Sequence, residues 1–254
     1  MLTRRRFIKT CISSALALGS MPLFSSISKV SAGYSSNIPV LLYHRIGDTD
    51  GPLTISPKKF ETDLARLRQL GYTTITLDTF RNYLGNDETN LPAKPIMISF
   101  DDGYLDNYMN AYLLLRKYGM TAAFYIITST VGGEDRLAAG HIREMAANGM
   151  SIGSHTVSHR ALGDMGYEEA ENELLLSRAY LEGLLQRTVD FIAYPLGSYN
   201  RDTIAAANEA GYAGGFSVIP GTCSHHTNPY ILKRIPEFSF DGDIRITMAK
   251  YGAA

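Results

Sequence analysis

Apolar runs of four to seven residues recur along this chain, and polar turns separate them from stretches whose apolar residues follow helical spacing. The runs cover residues 38–43, 73–77, 96–100, 121–127, 151–154, 191–194, 214–218 and 231–235. Their length and their β-branched and aromatic content predict buried strands. Between them the spacing predicts helices over 57–70, 106–118, 138–148, 167–186 and 201–210. The boundaries carry their own signals. Ser56 before Pro57 is a cap followed by proline at the first helical position, and Gly119 and Gly149 stop the second and third helices. Glu168, Glu169 and Glu171 sit in the first turns of the long helix, where the helix dipole favours acids. Strand–helix alternation of this kind predicts an α/β fold, a parallel sheet with helices outside it, in about seven strand–helix units.

Chemistry concentrates where strands end. The run at 96–100 delivers two adjacent carboxylates in Ser99-Phe100-Asp101-Asp102-Gly103. The run at 151–154 leads into Ser154-His155-Thr156-Val157-Ser158-His159, whose imidazoles, four residues apart, share one face if the chain turns helical there. One aspartate and two histidines make a three-ligand set for a divalent metal with a position left for water or substrate, and the second aspartate is then free to act as a base. A third strand runs into Tyr194-Pro195-Leu196-Gly197. Motifs that all follow strands lie on one face, as catalytic loops of a barrel do.

The first 32 residues read as an export signal. Thr3-Arg4-Arg5-Arg6-Phe7-Ile8-Lys9 matches the twin-arginine pattern, a short apolar stretch follows, and Val30-Ser31-Ala32 offers a cleavage signal. That stretch is too short and serine-rich for a span of about 20 residues. Residues 1–32 hold five of the 24 Lys and Arg and none of the 25 Asp and Glu. The catalytic domain expected over 33–254 therefore has 19 basic against 25 acidic residues, a net charge of −6. This balance argues against a nucleic-acid partner and for a neutral or partly cationic one. Cys223 is the single cysteine of 33–254, so no internal disulfide is expected.

The three motifs resemble those of the polysaccharide deacetylases of the NodB-homology type, carbohydrate esterase family four. Ser99 to Gly103, Ser154 to His159 and Tyr194 to Gly197 match its first three motifs, and the resemblance spans roughly residues 37 to 240. Val40-Leu41-Leu42-Tyr43-His44-Arg45-Ile46 and Asp101 to Tyr108 resemble the subgroup of poly-β-1,6-N-acetylglucosamine deacetylases. The resemblance implies a distorted, incomplete (β/α) barrel that, once exported to the periplasm or beyond, hydrolyses N-acetyl groups of an N-acetylglucosamine-containing polysaccharide in the cell envelope. It implies a divalent metal, Zn²⁺ first among transition metals, held by Asp102, His155 and His159. It also implies Asp101 as base and the Leu196 N–H as donor to the oxyanion. Among the 16 tyrosines, Tyr194 or Tyr199 is expected to line a sugar groove, with core packing the other reading for Tyr194.

The chain departs from the family pattern at three points. Ala193 stands where many members place an arginine that orients the base. The chain has no tryptophan, and the late Leu-x-His becomes Leu232-Lys233-Arg234. The subgroup shares these losses. His44, at the end of the first strand, is the expected proton donor in place of the late histidine. His225 and His226 beside Cys223 read as a solvated loop, and His141 as helix surface. A weakly catalytic glycan-binding protein, or a hydrolase of a small non-glycan amide, would use the same fold and stays open on sequence alone.

Overall fold

All six residues of Ile38–Tyr43 (β1) and all six of Pro95–Phe100 (β5) are buried. Such strands need a neighbour on each side and cover on each face, and a closed parallel barrel supplies both. A computed structural model describes residues 37–253 and shows this closure. The remaining strands are Arg45–Ile46 (β2), Thr54–Ile55 (β3), Thr73–Thr74 (β4), Ala123–Ile126 (β6), Ser151–Ser154 (β7), Phe191–Ala193 (β8), Gly214–Pro220 (β9), Thr222–Cys223 (β10) and Leu232–Pro236 (β11). The helices are Pro57–Gln69 (α1), Leu77–Leu84 (α2), Leu113–Tyr118 (α3), Ala139–Ala147 (α4), Tyr167–Leu185 (α5), Arg201–Glu209 (α6) and Ile244–Lys250 (α7).

Seven parallel strands form the barrel in the order β1, β5, β6, β7, β8, β9, β11. β1 closes it by pairing on both sides, Leu41 opposite Ile98 of β5 and opposite Ile235 of β11. The expected distorted (β/α) barrel of about seven units is therefore present, with seven strands in a closed hydrogen-bonded ring where the complete form has eight. Its distortion is local: the register between β9 and β11 shifts between Leu232 and Arg234. A bulge of this kind re-aims the side chain that follows it.

Two apolar layers hold the barrel. Val40, Met97, Tyr125, Phe191, Phe216 and Leu232 fill one cluster together with Phe80 and Tyr83 of α2. Tyr83 reaches the Cys223 carbonyl beside the start of β1, so α2 plugs the end of the barrel where the strands begin. The larger cluster joins strand residues such as Leu41, Ile98, Phe124 and Ile152 to the helices around them.

The structure differs from the sequence reading at several elements. The strand expected over 73–77 shrinks to β4, an edge strand beside β5 and outside the ring, because Thr76 caps α2 at Leu77. The helix expected over 106–118 begins as π-helix, Asn107–Tyr112, before α3. Helices α2 and α7 carry no counterpart in the sequence reading. The export signal expected over 1–32 lies outside the described residues.

Candidate active site

The two aspartates leave β5 in different directions. Asp101 extends the strand pairing, its N–H donating to the Tyr43 carbonyl at 3.1 Å. Asp102 then turns left-handed at φ 74°, followed by Gly103 at φ 65°. Such a turn suits glycine, and at an aspartate it stores strain on the order of 1 kcal/mol or more. It separates two neighbouring carboxylates that would otherwise repel.

Asp101 faces into the barrel and meets Arg234 of β11. The guanidinium donates to both carboxylate oxygens, at 2.7 and 2.8 Å, and its Nε donates to the Ser217 carbonyl at 3.0 Å. Arg234 is fully buried, with the Tyr125 and Phe216 rings each 5.9 Å from its Cζ. Burial alone would raise the Asp101 pKa, but Arg234 and then His155 outweigh it and hold the carboxyl below its ordinary value. The bidentate fork also fixes the plane of the carboxylate. The sequence reading passed over Arg234 as a missing histidine. Its signal was alternation: Lys233 is exposed between buried Leu232 and Arg234.

His155 and His159 are brought together by a loop and not by the helical turn considered from their spacing. Thr156 and His159 both take left-handed conformations, φ 65° and 60°. The Thr156 N–H donates to Ser154 Oγ, and the His159 N–H to Thr156 Oγ1. Glu173 of α5 grips the middle of the loop, accepting from the N–H groups of Val157 and Ser158 at 2.8 and 2.9 Å and from Ser158 Oγ at 2.6 Å.

Asp102, His155 and His159 converge. Asp102 Oδ1 lies 3.4 Å from His155 Nε2 and 3.2 Å from His159 Nε2. The ligand atoms of the three all fall within 4.8 Å of one another, and among the described residues no other His, Cys, Asp and Glu group does this. His155 Nδ1 sits 2.7 Å from the Ala193 carbonyl, which only accepts, so the proton is on Nδ1 and the Nε2 lone pair faces Asp102. Asp102 Oδ1 is buried with no hydrogen-bond partner, a costly state that a bound cation relieves. Burial lowers the His155 pKa, yet Asp101 and Asp102 more than reverse this, so the field at the site favours positive charge. Donor set, vacant lone pairs and field all fit a divalent metal.

His44 follows β1 on the same face. Its Nδ1 is buried without a hydrogen-bond partner, and its carbonyl accepts from Asn107 Nδ2 at 2.8 Å. Burial lowers its pKa below the usual imidazole value, against the pull of Asp101 and Asp102. Leu196 lies in the short turn Pro195–Gly197 with φ 57° and is 70% exposed. Tyr194 is fully buried, its ring 5.5 Å from that of Tyr199. Of the two readings for Tyr194, core packing is the one realised: a ring with no exposed surface does not line a sugar groove. His225 is not a solvated-loop histidine. Its ring packs at a tilt against that of Tyr83, centroids 4.0 Å apart, and its Nε2 lies 2.6 Å from Glu88 Oε1. His141 stacks on Tyr108 at 4.3 Å.

A ring of parallel strands with these motifs at its C-terminal end defines a class, and comparison with known proteins gives it a family. The polysaccharide deacetylase profile matches residues 88–215. The chain is 34% identical over 200 residues to YxkH of Bacillus subtilis (strain 168), whose name places it among the polysaccharide deacetylases, covering 79% of this chain and 71% of that one. It is 29% identical over 196 residues to a poly-β-1,6-N-acetyl-D-glucosamine N-deacetylase of Staphylococcus aureus (strain MRSA252), covering 72% and 67%. Among solved structures it resembles the Streptococcus pyogenes deacetylase PplD in complex with acetate, with a TM-score of 0.79, 28% identity and coverage of 85% and 97%. The chain belongs to the polysaccharide deacetylase family, hydrolases of carbon–nitrogen bonds other than peptide bonds.

Proposed function

We propose that this protein removes N-acetyl groups from an N-acetylglucosamine-containing polysaccharide of the cell envelope, using a divalent metal held by Asp102, His155 and His159. The observation that carries this reading is the buried, unpartnered Asp102 Oδ1 facing two imidazole nitrogens beside an aspartate locked by Arg234. Zn²⁺ suits the donor set first, and other transition metals suit it too. When bound, the metal supplies Lewis-acid polarisation of the amide carbonyl and lowers the pKa of water.

The chain's own residues supply the rest. Asp101 accepts a proton from the attacking water, and its Oδ2, 4.0 Å from His155 Nε2, borders the ligand cluster. A carboxylate held low in pKa is a weak base, and it is sufficient where the water is already acidified. The Leu196 N–H donates to the oxyanion that develops as the carbonyl carbon becomes tetrahedral, a contribution of about 3 kcal/mol for one such donor. As the carbon–nitrogen bond breaks, His44 donates a proton to the leaving nitrogen. The products are acetate and a free amine.

Arg234 also bears on the weakly catalytic alternative. It gives Asp101 the guanidinium partner that Ala193 cannot give, so loss of that side chain is no argument for inactivity. The test is acetate release from β-1,4 and β-1,6 N-acetylglucosamine oligomers, with metal content measured in parallel. Asp102→Asn, His155→Ala and His159→Ala should each lower bound metal and abolish turnover. Asp101→Asn should keep the metal and lose most activity. Bound metal without acetate from any glycan favours the small-amide hydrolase, and equal metal loss in all four variants sinks the separate roles of the aspartates.

A further inference from the structure

Resting on the metal reading above, we infer that Arg136 is a positioning residue that sets the metal ligand Asp102 from behind, through its backbone. Asp102 and Gly103 are consecutive left-handed residues, so the peptide groups around them are turned out of the strand ladder. The Asp102 carbonyl accepts from Arg136 Nη1 at 2.8 Å. The neighbouring backbone is clamped from the same segment: Leu137 N–H donates to the Gly103 carbonyl at 3.0 Å, and Leu105 N–H to the Asp135 carbonyl at 3.1 Å. Tyr104 and Arg136 face each other in an isolated antiparallel bridge.

The guanidinium that holds this carbonyl is itself held. Arg136 Cζ lies 4.1 Å from the centre of the Tyr104 ring, and Arg45 Cζ lies 4.2 Å from the same centre. Both guanidiniums thus lie in cation–π contact with the one ring. Arg45 is neutralised by Asp106 at 2.7 Å and Asp135 at 2.6 Å, which removes much of the repulsion across the ring. Arg45 is also the residue after His44. One stacked series therefore runs from the proton donor proposed above to the carbonyl of a metal ligand.

The physical consequence is specific. The Asp102 side chain starts one bond from a strained backbone, so relaxation of the turn moves Oδ1 relative to the two histidines. A backbone carbonyl left partly buried without its donor drives that relaxation. Lysine at 136 can still donate one hydrogen bond but has no planar group to stack on Tyr104.

The experiment compares the full-length protein with Arg136→Met and Arg136→Lys. Zn²⁺ affinity is measured by competition with a chromogenic chelator, and the visible spectrum of the Co²⁺-loaded protein is recorded. Partners outside the ligand set commonly change metal affinity 10–100-fold. Arg136→Met should weaken Zn²⁺ binding by about that factor and shift the Co²⁺ bands, and Arg136→Lys should recover part of the affinity. Thermal unfolding of the metal-free proteins checks that both variants fold. Arg136→Met with unchanged Zn²⁺ affinity and an unchanged Co²⁺ spectrum overturns the inference. A parent protein that binds no Zn²⁺, or a His159→Ala variant that binds it equally well, overturns the metal reading first and this inference with it.

Discussion

At the scale of single residues, the site depends on side chains that each face one task. His44 has a free, buried Nδ1 and a pKa lowered by burial, so it gives up its proton more readily than an exposed imidazole. His44→Ala should leave metal content nearly unchanged and reduce the deacetylation rate by about 10²–10⁴-fold. Wild-type rates in this variant, or loss of metal from it, would show the assignment to be wrong. The aspartate and histidine motifs were legible in the sequence because they are local and each follows a strand. Arg234 was not, since its partner lies 133 residues away and only the pair gives the arginine meaning. Nor were the left-handed turns at Asp102, Thr156 and His159 legible, for none of these residues is the glycine that usually marks such a conformation.

At the scale of elements, the strand that brings Arg234 also brings a cost. Glu237 follows β11, and its N–H donates to the Leu42 carbonyl at 3.0 Å, fastening the β1–β11 seam. Its carboxylate is 1% exposed and neither oxygen has a hydrogen-bond partner. The nearest cation, Lys59, is 3.8 Å away and held more closely by Asp63. Burial, with Asp63 and Asp241 adding to it against the opposing pull of Lys59, pushes the Glu237 pKa from 4.5 up to about 8. The folded state thus keeps a proton that the unfolded chain releases above pH 4.5, and this group costs stability progressively between pH 4.5 and about 8. Glu237→Gln should be nearly neutral at pH 5 and should stabilise the protein at pH 8 by about 1–3 kcal/mol. Urea unfolding at the two pH values measures this. A variant destabilised equally at both would mean that the charge is paid no penalty where it sits. The apolar runs foretold all seven ring strands, because buried strands announce themselves. The edge strand β4 and helix α2 were misread, since a β-branched run that straddles a helix cap looks like one longer strand.

At the scale of the whole molecule, the net charge of −6 expected for residues 33–254 suits a neutral partner, and with a single cysteine among them stability rests on packing. Among the described residues no helix is long and apolar enough to cross a membrane. We propose that Arg4 and Arg5 direct export by the twin-arginine route, which carries folded proteins. Lysine at both positions should leave folded precursor in the cytoplasm, and fractionation that still finds the protein outside would discount the route. The closed ring fixes an order of events. The candidate metal ligands lie between residues 102 and 159, whereas the arginine that holds Asp101 arrives only with residue 234. A chain still being synthesised therefore carries Asp102, His155 and His159 well before the residue that holds Asp101. A chain cut short before β11 lacks both the strand that closes the ring on β1 and the arginine that holds Asp101, so the proposed activity waits for the last ring strand.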